Sequence, residues 1–132
     1  MERERRELPT DVERILIRES ILLPFLITIV ENNARNLDVP LKDLFTLAAK
    51  RLMSDISADL TEVRKSLREL KIKVWEDTKV QRQNDAIYYR YVCRGYEEQY
   101  AIMRSVAKAE LSVKLGKYVR RFTEALENGK VR

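Results

Sequence analysis

Seven apolar residues, Ala49, Met53, Ile56, Leu60, Val63, Leu67 and Leu70, follow one another at steps of 4, 3, 4, 3, 4 and 3. A seven-residue spacing kept over three heptads draws one apolar stripe down one face of a continuous helix, here from about Leu41 to Leu70. With only three glycines and three prolines in 132 residues, the rest of the chain is also biased toward long helical elements. A chain of this length is one domain, large enough to bury a core of its own.

A second helix signal precedes the stripe. Residues 1–10 form a charged, flexible tail, Thr10 or Asp11 can cap, and Glu13 with Arg14 opens a first turn, so a helix is expected from about Asp11 to Asn36. Pro24 lies within it, where it removes a backbone hydrogen bond and crowds the carbonyl of Ser20, so a kink or a break is expected there. From Ile21 to Val30 the segment is apolar nearly all round, with Arg18, Glu19 and Glu31 just outside. Ten residues are about half of a membrane span, so the run is expected in a core or an interface. Covering every face needs other helices or a second subunit. A homodimer is therefore expected, with Ile21, Phe25 and Ile29 at its interface. Asp38-Val39-Pro40 reads as the turn into the next helix.

Beyond Leu70 the period changes to two. Lys71-Ile72-Lys73-Val74-Trp75-Glu76 alternates as a half-buried strand does, Asp77 to Asp85 is polar, and Ala86 to Arg94 is aromatic and β-branched up to Gly95. A small hairpin is expected. The competing reading is helical, because Val92, Tyr96, Tyr100, Met103, Ala107 and Leu111 sit three or four apart. On either reading the stretch after Gly95 is helical and stops near Asn128-Gly129, with a tail at 129–132. The expected fold is mainly α, a long-helix bundle with a small β-hairpin before the last helix, in one domain over residues 11–128.

The usual acid–base inventory is thin. The chain has no histidine, and its single cysteine, Cys93, can form neither an intrachain disulfide nor a structural zinc site. No glycine belongs to a phosphate-binding loop. Glu97 and Glu98, placed in the first turn of the last helix, would offset its dipole. Cys93 between apolar residues reads as a small buried hydrophobe in a reducing compartment. No catalytic residue, metal or cofactor is expected. The charged N-terminus does not read as a signal peptide.

Charge is uneven: residues 1–70 carry 12 Lys and Arg against 13 Asp and Glu, and residues 71–132 carry 14 against 8. On a hairpin, Tyr88, Arg90, Val92 and Arg94 share one face while Ile87, Tyr89, Tyr91 and Cys93 share the other. Lys71, Lys73, Arg90 and Arg94 are thus candidate contacts to a nucleic acid or an acidic partner, beside aromatic rings that could stack on bases. Alternatively the tyrosines fill the rim of a sheet packed on the helices.

The order of helix, lysine-rich strand, polar loop and return strand resembles the second half of a winged-helix DNA-binding domain. That resemblance implies a recognition helix at residues 61–70, started by the capping-box spacing of Asp59-Leu60-Thr61-Glu62, and a wing from Lys71 to Arg94. The unbroken stripe from Ala49 departs from it, leaving no phase shift for a turn. Over about Ile17 to Phe122, the segments Ile21-Leu22-Leu23-Pro24, Leu70-Lys71-Ile72-Lys73-Val74 and Gly95-Tyr96-Glu97-Glu98 together resemble the YhjD-like proteins of Bacillus and relatives. This second resemblance implies a small cytoplasmic protein and carries over no functional residue. Two functions are expected from the sequence: a non-catalytic interaction or regulatory protein that self-associates and meets a protein partner away from membranes, or, alternatively, a winged-helix-like binder of DNA or RNA.

Overall fold

The computed structural model describes residues 8–36, 40–79 and 85–129. Most of the expected N-terminal tail, the Asp38-Val39 part of the first turn, residues 80–84 of the polar loop and the tail beyond 129 lie outside them. Three helices, α1 (Asp11–Arg35), α2 (Lys42–Glu69) and α3 (Arg104–Glu127), accompany an antiparallel sheet of β1 (Ile72–Glu76), β2 (Ala86–Cys93) and β3 (Tyr96–Met103) in that spatial order.

Helix α1 starts as its sequence dictates. The Thr10 hydroxyl accepts from Glu13 N at 3.2 Å while the Glu13 carboxylate accepts from Thr10 N at 2.8 Å, a reciprocal capping box. Pro24 does not end the helix, which continues to Arg35. Packing on both sides holds the turn that the missing hydrogen bond would loosen. α1 is the central element, lying against α2 along its length and against α3 and β1 elsewhere. That covers the apolar run: Ile21, Leu22, Leu23, Leu26 and Val30 are all buried within the chain.

The heptad stripe of α2 faces this core. Ala49, Ile56, Leu60 and Leu67 are buried and Met53 and Val63 packed against them, while Leu70 has left the helix and is exposed. α2 runs without interruption through Ser54 to Thr61, so residues 61–70 are the end of one long helix and not a separate recognition helix.

Two corrections concern the β region. The hairpin is a three-stranded sheet, and residues 96–103, expected to be helical, form its third strand. Arg94 and Gly95 both have positive φ, 50° and 85°, the requirement of the tight primed turn that joins antiparallel strands. The strands then pair from Cys93 with Tyr96 to Ala86 with Met103. Along β3, Tyr96, Tyr100 and Ile102 pack against or join the core while Glu97, Gln99, Ala101 and Met103 are exposed, an alternation of period two. α3 begins only at Arg104, without a side-chain cap, and adds Ala107, Leu111 and Tyr118 to the core.

Candidate interaction surface

The one buried charged residue among the described residues is Glu13, read from the sequence only as a first-turn acid. It is buried at 4% exposure, and Arg94, from the β2–β3 turn, grips it with Nη1 at 2.8 Å from Oε2 and Nη2 at 2.9 Å from Oε1. Arg94 Nη2 also donates to the Leu8 carbonyl at 3.0 Å. The Arg94 guanidinium holds the Glu13 carboxyl at about 2, well below its ordinary 4.5, against the opposing effect of burial. Cys93 Sγ lies 4.0 Å from Glu13 Oε1, and burial raises the thiol's pKa, which makes it a poor nucleophile. The carboxylate signal lay in the Thr10-x-x-Glu13 spacing, but its partner 81 residues away had no local mark.

Other polar clusters also close on themselves. Arg18 forks onto Glu110 at 2.7 and 2.5 Å and donates to the Tyr100 hydroxyl at 2.8 Å, tying α1 to α3 and β3. This pairing lowers the Glu110 pKa and raises that of Arg18. Tyr118 donates to Asp59 at 2.6 Å, and Glu98 accepts from Tyr91 and Tyr96, each at 3.0 Å. Burial first, then the neighbouring carboxylate, raises both Tyr91 and Tyr118 above the ordinary phenol value. These are struts between elements. Among the described residues, no three His, Cys, Asp or Glu side chains gather in a way that could hold a metal ion.

Of the four basic candidates, the two arginines are held by carboxylates. Arg94 is engaged with Glu13, and Arg90 with Glu97 at 3.0 Å and with Asp77 at 3.5 Å. A phosphate at either arginine would have to displace carboxylates. Lys71 and Lys73 are exposed, Lys71 at a positive φ of 58° in the turn after α2. Glu97 and Glu98 sit on strand β3, not in the first turn of a helix, and place negative charge beside Arg90.

The three interface candidates also separate. Ile21 is fully inside the fold, Ile29 is half-buried against the core, and Phe25, at 37% exposure, lines grooves toward β2 and the start of α3. The exposed apolar residues gather elsewhere. At the N-cap and in the first two turns of α2, Leu41 and Leu44 are each 59% exposed, Phe45 45% and Leu47 65%. Spacings of three and four put them on adjoining ridges of one helix end, where the heptad stripe has not yet met its partners. The heptad spacing starts only at Ala49 and does not mark this earlier patch, whose signal is the apolar density of Leu41, Leu44, Phe45, Leu47, Ala48 and Ala49.

Among the described residues, no helix is long and apolar enough to cross a membrane. No curated protein and no solved structure matches the chain. The family model described as YhjD protein matches residues 8–123, from the N-terminal side of the Glu13 capping box to the last turns of α3, and the chain belongs to the YhjD family.

Proposed function

We propose that this protein is a non-catalytic interaction protein that self-associates through the exposed apolar start of α2. The observation that carries the reading is the cluster of Leu41, Leu44, Phe45 and Leu47, four large apolar side chains within seven residues, each close to half exposed or more. Singly exposed leucines are ordinary on a monomer, whereas a contiguous group rimmed by charge is the signature of a contact surface. Lys42, Asp43, Lys50 and Arg51 provide such a rim. A second copy is the simplest occupant, because a two-fold axis across an α-helix matches the same apolar ridge to itself. The non-catalytic part of the reading is supported by the self-contained polar clusters, whose perturbed groups are engaged with one another across elements.

Cross-linking tests this directly. Cys93 is buried, so a cysteine introduced at Leu47 is the accessible thiol among the described residues. Under mild oxidation Leu47→Cys should yield a covalent dimer, and Val113→Cys, on the exposed face of α3, should not. Equal dimer yields from the two variants, or none from Leu47→Cys and Leu44→Cys, would remove α2 from any self-contact.

A further inference from the structure

A groove of about 410 Å³ lies between the end of α2, β1 and the Pro24 turn of α1. Its size is within the roughly 300–1,000 Å³ of small-molecule sites. Arg64 and Arg68 stand on its α2 wall one helical turn apart, both exposed, and neither has an ion-pair partner among the described residues. Arg90 and Arg94 on the sheet are held by carboxylates; among the described residues these two guanidinia are not. The floor is apolar, made by Leu67, Val74 and the half-buried ring of Tyr89, and Trp75, 40% exposed, borders the groove from the edge strand. Glu76 lies on the β1 wall of the groove.

We infer that this groove binds a small aromatic phosphate of the mononucleotide class, the phosphate on Arg64 and Arg68 and the ring over the apolar floor beside Trp75. Two guanidinia i, i+4 on one helix offer planar forks to an oxyanion, which a phosphate with several oxygens can accept together. A flat ring covers an apolar floor bordered by indole and phenol more completely than an alkyl chain, and gains a stacking contribution. The groove is apart from the exposed start of α2, so the inference stands whether or not the protein self-associates.

Trp75 is the only tryptophan in the chain and reports on its own site. Its fluorescence, excited at the red edge of the indole band, should change saturably with adenosine monophosphate at submillimolar to millimolar concentration. Adenosine alone and inorganic phosphate alone should each bind at least about tenfold more weakly, since each lacks one half of the complementarity. Arg64→Ala with Arg68→Ala should weaken adenosine monophosphate at least about tenfold while circular dichroism stays that of wild type, both side chains being exposed. Absence of a saturable change, equal binding by adenosine, or an unchanged titration in the double variant would overturn the proposal. So would a response confined to single-stranded oligonucleotides, which would make the groove part of a nucleic-acid surface.

Discussion

At the scale of single residues, Glu13 does the most that its local sequence does not announce. It caps its own helix and anchors the β2–β3 turn through Arg94, joining the first helical turn to the middle of the sheet. Removing the guanidinium would leave a carboxylate buried without its counter-charge, and Arg94→Ala should cost about 2–3 kcal/mol, less than a fully buried pair because Arg94 is about one-third exposed. Urea unfolding at pH 7 measures this. The sign with pH follows from the depressed pKa: Glu13 binds its proton more readily in the unfolded chain, near 4.5, than in the fold, at about 2. Its stabilisation is therefore complete above about pH 5 and lost as pH falls from 4.5 toward 2. Wild type should lose about 2 kcal/mol more over that window than Glu13→Gln, after allowance for screening at Arg94. Parallel stability curves for the two proteins would assign the acid sensitivity to other carboxylates.

At the scale of elements, α2 was the most legible part of the chain and β3 the least. A stripe at steps of 4 and 3 over three heptads has no strand equivalent, and Ile56, Leu60 and Leu67 are buried as that spacing requires. Leu60→Ala should accordingly cost roughly 2–5 kcal/mol in thermal or urea unfolding. A variant with wild-type stability would show that the stripe is not core. Tyr96 and Tyr100, by contrast, are four residues apart, a spacing that places side chains on one face in a helix and in a strand alike. What decides between them is the Arg94-Gly95 turn, which demands φ > 0 at both positions and closes a hairpin, whereas glycine after an aromatic run reads equally as the end of a strand with a helix to follow. Gly95→Ala should thus destabilise by about 1 kcal/mol or more, because alanine at φ 85° is strained although open space surrounds the position. A thermal midpoint unchanged within a degree would contradict that role.

At the scale of the whole molecule, the apolar run of α1 required cover, and the sequence alone could not say whether the cover comes from the same chain or from another. α2 along its length, together with α3 and β1, buries Ile21, Leu22, Leu23, Leu26 and Val30, so the run contributes core, one of the two roles expected of it. The basic second half was legible as composition but not as geometry: its arginines on the sheet meet Glu13, Asp77 and Glu97, while the guanidinia at the groove that have no ion-pair partner among the described residues, Arg64 and Arg68, belong to α2 and fall in the half of the chain with no net positive charge. The exposed apolar surface shifted as well, from α1 to the start of α2, and there self-association is proposed. Sedimentation velocity at micromolar concentration, comparing wild type with Leu44→Glu/Phe45→Glu, tests that claim most directly. Both positions are exposed, so the double variant should keep the wild-type circular dichroism spectrum. The expected result is a dimer for wild type and a monomer for the variant. A wild-type monomer at every concentration, or a dimer that survives both substitutions, would contradict it.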